Sequence, residues 1–254
     1  MQALQGAKQT PPYTALAAGY DVVMAHVDYD RWAAYTHERL RAHHPEPRSI
    51  LELGCGTGSL ALALQPRGPY RYRATDGSAE MIRIARRKAE LADLPIRFEV
   101  ADFTNFRVDE PVEAVVLLYD GLNYLLETDP LKALLRCAYE ALKPSGLFLF
   151  DQSTPANSIN NADFFEDEGG AQNFTYKRRS QYDEAARLHT TTFLLTVGGE
   201  HFHEQYVQRA YSIDEVQALV KATPFEEVAA YDNLSTAPAT DASERIHWVL
   251  RRVG

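Results

Sequence analysis

Cysteine is scarce in this 254-residue chain and basic charge is outnumbered by acidic, and each shortage excludes something. Its two cysteines, Cys55 and Cys137, are far apart and lack metal-ligand spacing, so neither a disulfide framework nor a zinc site is indicated and a reduced, cytoplasmic setting is expected. No charged start leads into an apolar signal core, and no apolar run reaches the roughly 18 residues that span a bilayer, so no membrane partner is expected. Lys and Arg number 26 against 35 Asp and Glu, a formal net charge of -9, which argues against a nucleic-acid footprint. The densest basic run before residue 150, Arg86-Arg87-Lys88, suits the solvated face of a helix. No internal repeat appears, and the length suits one sizeable α/β domain with an elaboration.

What the chain does have is Ile50-Leu-Glu-Leu-Gly-Cys-Gly-Thr-Gly-Ser59, an apolar run ending in three alternate glycines with a helical pattern behind it. Glycine serves where the backbone takes positive φ or lies directly against a ligand, so the main chain itself is expected to form a binding surface here. The dinucleotide fingerprint GxGxxG would need glycine at Ser59. This chain has GxGxG instead. About twenty residues on, Ala74-Thr75-Asp76-Gly77-Ser78 ends a short strand in an acid, the place where a carboxylate accepts from ribose hydroxyls.

Led by Glu52, the stretch through Gly58 resembles the first motif of the class I S-adenosylmethionine-dependent methyltransferases. The resemblance implies a Rossmann-like, doubly wound α/β fold with a seven-stranded, mostly parallel sheet, and S-adenosyl-L-methionine as cofactor. By that likeness Glu52, Gly54, Cys55, Gly56, Gly58, Asp76, Gly77 and Met81 bind the cofactor, Asp102 and Phe103 after the third strand meet its adenine, and Tyr119 borders it. Tyr20 to His43, helical by its three- and four-residue apolar spacing with a break near Asp28 to Asp30, resembles the N-terminal extension of a small-molecule subgroup. Tyr20 would then touch cofactor or substrate, and Tyr29 and Trp32 the substrate, although a buried aromatic stripe explains the same pattern. Tyr119-Asp120-Gly-Leu-Asn123-Tyr124-Leu follows the continuous apolar run Ala114 to Leu118, at the carboxyl end of a central strand where open α/β sheets bind ligands. Asp120, Asn123 and Tyr124 are therefore candidates for the methyl-transfer site.

The ordered part is expected to begin near Tyr13, after a polar tail at Met1 to Thr10, and His43-His44-Pro45-Glu46-Pro47 closes the first helical region. Ser78 is the expected N-cap of a helix reaching Ala92, and Leu131 to Leu142 is amphipathic. Asp151 to Gly170 reads as loop. Beyond it Phe174 to Tyr182, Leu188 to Val197 and Glu200 to Ala210 read as three strands with a hairpin at Gly198-Gly199, a meander capping the open end of the sheet. Ser212-Ile-Asp-Glu215 is a capping box, and Phe225 to Tyr231 with Arg245 to Arg252 would complete the sheet. The division expected is an N-terminal helical lid at 1–48, a cofactor-binding domain at 49–151 and 211–254, and an inserted β cap at 152–210.

His201 and His203 lie two apart on one strand face, near His189 in the meander, but without spacing for a third ligand no metal is expected. His203, Glu204 and Arg209 are instead candidates to line the pocket, and a base, where one is used, would be Asp120, Tyr20 or His203. The expected activity is in-line transfer of a methyl group to a small-molecule acceptor, with a homodimer as the one further partner to consider. A non-catalytic cofactor-binding module and a nicotinamide or flavin oxidoreductase are the competing classes. The acceptor atom is not written in the sequence.

Overall fold

The computed structural model describes residues 6–44, 46–162 and 165–254. Residues 1–5 of the polar tail, Pro45 of the helix-closing stretch and residues 163–164 of the Asp151 to Gly170 segment lie outside them. Among the described residues twelve strands make two sheets. The larger contains β2 (Ser49–Leu53), β3 (Arg71–Asp76), β4 (Ile96–Val100), β5 (Val112–Leu117), β6 (Leu142–Ser153), β11 (Phe225–Asp232) and β12 (Arg245–Arg252). Its order is β4-β3-β2-β5-β6-β12-β11, parallel from β4 to β6, with β12 antiparallel to both of its neighbours. This is the doubly wound, seven-stranded arrangement expected.

Alternation along the parallel strands supplies two cores. Leu51, Leu53, Val115, Leu117, Phe148 and Phe150 pack on one side with α5 (Thr128–Ala141) and α7 (Ile213–Lys221). Ile50, Ala114, Val116, Leu147 and Leu149 pack on the other, against α2 (Tyr29–His43), α3 (Ser59–Leu64) and α4 (Ala79–Leu91). The buried stripe of α4 is Met81, Ile82, Ala85 and Ala89, and Ser78 caps it by accepting from Met81 N. The strand order reverses between β2 and β5, and a crevice therefore opens at their carboxyl ends.

The second sheet covers that crevice. It contains β1 (Lys8–Gln9), β7 (Glu166–Ala171), β8 (Phe174–Asp183), β9 (Leu188–Val197) and β10 (Glu200–Arg209), in the order β1-β10-β9-β8-β7. Two expectations are corrected here. Part of the tail is not frayed: β1 pairs in parallel with β10, and Thr10 N donates to His203 O at 3.1 Å, because the edge of β10 leaves backbone groups for it. Nor is Asp151 to Gly170 simply loop. β6 runs on to Ser153, Thr154 caps the short helix α6 (Pro155–Asn160), and β7 pairs with β8. Gly169 and Gly170 hide β7 in the sequence, while its cross-strand pairs Glu166–Arg179, Asp167–Arg178 and Glu168–Lys177 specify it in space.

The break in the first helical region is real: α1 (Tyr20–Val23) ends before α2 restarts at Tyr29, with Asp28 accepting from Arg31 N at 2.9 Å. Far from the crevice, Glu113 fastens the start of β2. It accepts from Arg48 N at 2.7 Å, Ser49 N at 2.8 Å and Lys143 Nζ at 2.8 Å. Partial burial pushes this carboxyl up, but the Lys143 ammonium and the N–H donors outweigh it and hold it down at about 2. A depressed carboxyl contributes stability above its unfolded value of 4.5 and loses it as pH falls toward 2. Glu113→Ala is expected to cost roughly 2 kcal/mol at pH 7 and much less near pH 2, read by denaturant titration at both pH values.

Candidate active site

Two adjoining chambers occupy the crevice. One, of about 270 Å³, lies over the carboxyl ends of β2 and β3; the other, of about 370 Å³, lies under the second sheet. Tyr13, Tyr20, Tyr119 and Tyr124 line both, so a wall of four phenols separates them. Tyr13 stands at its centre, with ring centroids 6.0 Å from Tyr20, 5.9 Å from Tyr124 and 4.8 Å from Tyr206, and its hydroxyl bonds that of Tyr124. Burial raises the pKa of all four phenols, Tyr119 to about 12, so each is neutral at physiological pH. Tyr20 is accordingly a hydrogen-bonding group rather than a resident base.

The smaller chamber is built on the glycine loop. Gly56 has φ +55° and donates its N–H to Asp76 Oδ2 at 2.8 Å, while Ser78 N donates to Oδ1 at 2.8 Å. Asp76 thus ties the glycine loop to the turn opening α4 and still presents lone pairs to the cavity. Burial pushes its carboxyl up, against those two bonds. Of the residues proposed from sequence for the cofactor, all but Gly58 and Asp102 line this chamber. Gly58 has φ +78°, and a side chain there would press on Phe98 and Ala85, so it allows close packing of loop and helix. The Asp102 carboxylate accepts from Thr104 N and Oγ1, each at 2.8 Å, which makes it a loop cap on the exposed side.

Tyr29 and Trp32, expected against the substrate, line the smaller chamber instead, because α2 lies across the glycine loop rather than beneath the second sheet. Over the same loop, Asp21 of α1 accepts from Thr57 Oγ1 at 2.5 Å and from Lys88 Nζ at 2.8 Å. Lys88 also reaches Ser59 Oγ at 2.8 Å, so the short helix is latched to loop and α4 together.

The larger chamber is polar. Asp120, with φ +66°, sits on its floor and pairs with Arg245, which also pairs with the fully buried Asp151. The Arg245 guanidinium lies over the rings of Trp32 and Tyr119, at 5.3 Å and 5.2 Å. Burial raises the pKa of Asp151 while Arg245 opposes it. Asn123 is pinned, accepting from Ser153 N at 2.9 Å and donating to Ser153 O and Arg209 O, so it fixes the floor more than it offers itself to a ligand. Arg209 faces the chamber with its guanidinium on Tyr211 and Glu215.

His203 lies elsewhere. Side chains alternate along β10, so buried Glu204 and Tyr206 face inward and His203 faces the other way, its Nδ1 2.7 Å from Gln9 Oε1. His189 of β9 does line the chamber, with Nδ1 3.3 Å from Ser158 Oγ and its ring edge-on to Phe165. Burial lowers its pKa, so it is a neutral imidazole at physiological pH. His189 and His203 therefore do not converge.

Sequence reasoning missed Tyr13, Arg245 and the function of Glu204. Glu204 is fully buried and accepts from Thr10 Oγ1 at 3.1 Å, Tyr13 N at 3.0 Å, Ala15 N at 2.5 Å and Leu16 N at 3.3 Å, and also from the Tyr206 hydroxyl. It holds the strap that carries Tyr13, whose carbonyl in turn accepts from Ser78 Oγ at 2.8 Å. The strap partners of Glu204 lie nearly two hundred residues away in the chain, and no local signal marks such a pairing.

A family profile described as a methyltransferase domain matches residues 50–146, the glycine loop through the start of β6. Across those residues the chain carries a methyltransferase domain. It is 28% identical over 244 residues to the Bacillus subtilis protein named "Putative methyltransferase YqeM", covering 92% of this chain and 94% of that one. Its fold is similar to that of an S-adenosylmethionine-dependent methyltransferase from Clostridium acetobutylicum, with TM-score 0.79, 24% identity and coverage of 95% and 99%. It is also similar in fold to CalS10 from Micromonospora echinaspora, an amino pentose methyltransferase solved with S-adenosylmethionine bound, with TM-score 0.71, 20% identity and coverage of 92% and 96%.

The methyltransferase depends on Glu204 to keep its strap in place. Glu204→Ala leaves the buried Ala15 and Leu16 N–H groups without acceptors and Tyr13 N with only the Tyr206 hydroxyl, and is expected to cost about 3 kcal/mol. Hydrogen exchange should rise at Tyr13, Ala15 and Leu16 while the β2 amides stay protected; uniform loss of protection would contradict the strap assignment.

Proposed function

We propose that this methyltransferase acts on a small, polar acceptor bearing an amino group, held in the larger chamber, with the cofactor in the smaller one. The single observation that carries this reading is the tyrosine wall, because two separate cavities meet there and nowhere else along their linings. The smaller chamber suits the cofactor in its chemistry: a glycine backbone at positive φ, an acid at the end of β3, aromatic rings, and no basic side chain among the described residues. In the larger, Asn157, Ser180, Thr191 and Gln208 add donors and acceptors to Asp120 and His189, a lining that suits a hydroxylated molecule. The amino group is favoured by the amino pentose named for CalS10, which shares the fold.

S-adenosylmethionine supplies, when bound, a methyl group already activated on a sulfonium. The chain has to align the acceptor and exclude water, and alignment alone can supply roughly 7 to 11 kcal/mol at best. In this reading Tyr13, Tyr20, Tyr119 and Tyr124 surround the crossing point and keep it dry. An amine that enters as ammonium must lose a proton before its lone pair can attack. Asp120 is committed to Arg245, and His203 faces away, so the two imidazoles that line the chamber, His26 and neutral His189, are the groups placed to take that proton. The lid, cofactor domain and cap correspond in this reading to residues 1–48, 49–151 with 211–254, and 152–210.

Two substitutions test the cofactor assignment. Asp76→Ala should weaken S-adenosylmethionine binding by roughly 1.5 to 3 kcal/mol, the range of a charge-assisted hydrogen bond. Gly56→Val, strained at φ +55° and directed toward Tyr20, should abolish binding while unfolding stays cooperative. Titration calorimetry reads both. Product-cofactor formation with a panel of amino sugars and simple amines tests the acceptor, and turnover confined to acceptors without an amino group would overturn that part.

A further inference from the structure

Glu52 is the buried ionisable group that the chemistry above leaves unused. It sits near the end of β2, is 3% exposed and lines the cofactor chamber. Its one hydrogen-bond partner is neutral, the Tyr72 hydroxyl at 2.8 Å. The ionisable groups facing it are Tyr72 and Asp76 of β3, Cys55 of the glycine loop and Tyr29 of α2, while β5 presents only Val116 and Leu118. None of these can carry a positive charge. The two neighbouring carboxylates are also unequal, for Asp76 accepts two backbone N–H bonds and Glu52 accepts none.

We propose that Glu52 selects the cofactor by charge: it is a neutral carboxylic acid in the ligand-free chamber and ionises when the cationic S-adenosylmethionine arrives. This rests on the methyltransferase reading and adds a proton to its binding step. A carboxylate out of water with one neutral donor is strongly disfavoured, whereas an adjacent positive charge restores it. On binding, the O–H bond of Glu52 breaks, its proton passes to the buffer, and the negative charge stays beside the ligand. Burial, with Asp76 adding to it, pushes Glu52 up to about 8 despite the Tyr72 bond, so at pH 7 the proton is there to be released. The product cofactor, lacking the sulfonium charge, has less hold on the ionised form and should leave more readily.

Calorimetry of the whole protein with S-adenosylmethionine, in buffers of different ionisation enthalpy at pH 7, counts the protons. Close to one proton released per cofactor is expected, fewer with S-adenosylhomocysteine, and none from Glu52→Gln. The cofactor's own α-amino group, titrating at roughly 7.7 to 8.0, would take up a fraction of a proton instead, so the sign is diagnostic. Binding without release, or equal release with both cofactors, overturns the proposal. Absence of any S-adenosylmethionine binding would instead overturn the methyltransferase reading.

Should the variant fail to fold, the wild-type affinity decides. It should tighten by about tenfold per pH unit from 6 to 7.5 and level above 8, and a flat profile overturns the idea. The stability of the ligand-free protein gives the same answer by another route. A carboxyl raised above its unfolded value holds its proton better when folded, so stability falls as pH rises from 4.5 through 8. That fall should be larger in wild type than in Glu52→Gln, and identical profiles would count against it.

Discussion

A carboxylate buried without a cation is the constraint on which this molecule's architecture depends. Glu204 is in the second sheet, yet most of its hydrogen bonds go to the strap before α1, and the strap places Tyr13 between the two chambers. Several donors directed at one carboxylate can replace its hydration where a single one could not. The second sheet and the strap that leads into the chamber wall are therefore joined by a polar clasp as well as by apolar contact. The apolar part is the cluster of Leu16, Val23, Phe174, Phe193, Leu195 and Tyr206, which lies against Tyr13, Tyr20 and Tyr124.

The chambers on either side of the wall differ in electrostatic design. The smaller has acids and no bases among the described residues, with the Asp21–Lys88 pair outside its lining. The larger is lined by three arginines, each oriented by a carboxylate: Arg178 by Asp167, Arg209 by Glu215, and Arg245 by Asp120 and Asp151. Paired guanidinium groups hold fixed directions without leaving a bare charge in the cavity. Such a surface suits recognition by hydrogen bonds, whereas the first suits a ligand carrying positive charge.

Much of the smaller chamber and the elements beneath it was legible in sequence because the signals are local. The glycine loop, the acid ending β3, the stripe of α4 and the capping box at Ser212 each complete their logic within a few residues. The larger chamber was legible only in outline. His203 and Glu204 are neighbours on one strand, and which of them faces inward is set by register against β9 and by the strap, neither of which a period-two pattern reveals. Tyr13 owes its position to Glu204, Ser78 and Tyr124 together, and Arg245 finds Asp120 across 125 positions of chain. β7 looked like loop because its specification lies in charges on the neighbouring strand, not in apolar alternation.

The two-residue strand β1 has a consequence larger than its size. It covers part of the flank of β10, a ten-residue strand whose backbone groups would otherwise be open to water or to another chain. A chain trimmed before Thr10 would bare that flank and offer it for intermolecular strand pairing. Lys8 and Gln9 thus act as an edge guard, leaving less of the β10 backbone open to strand pairing.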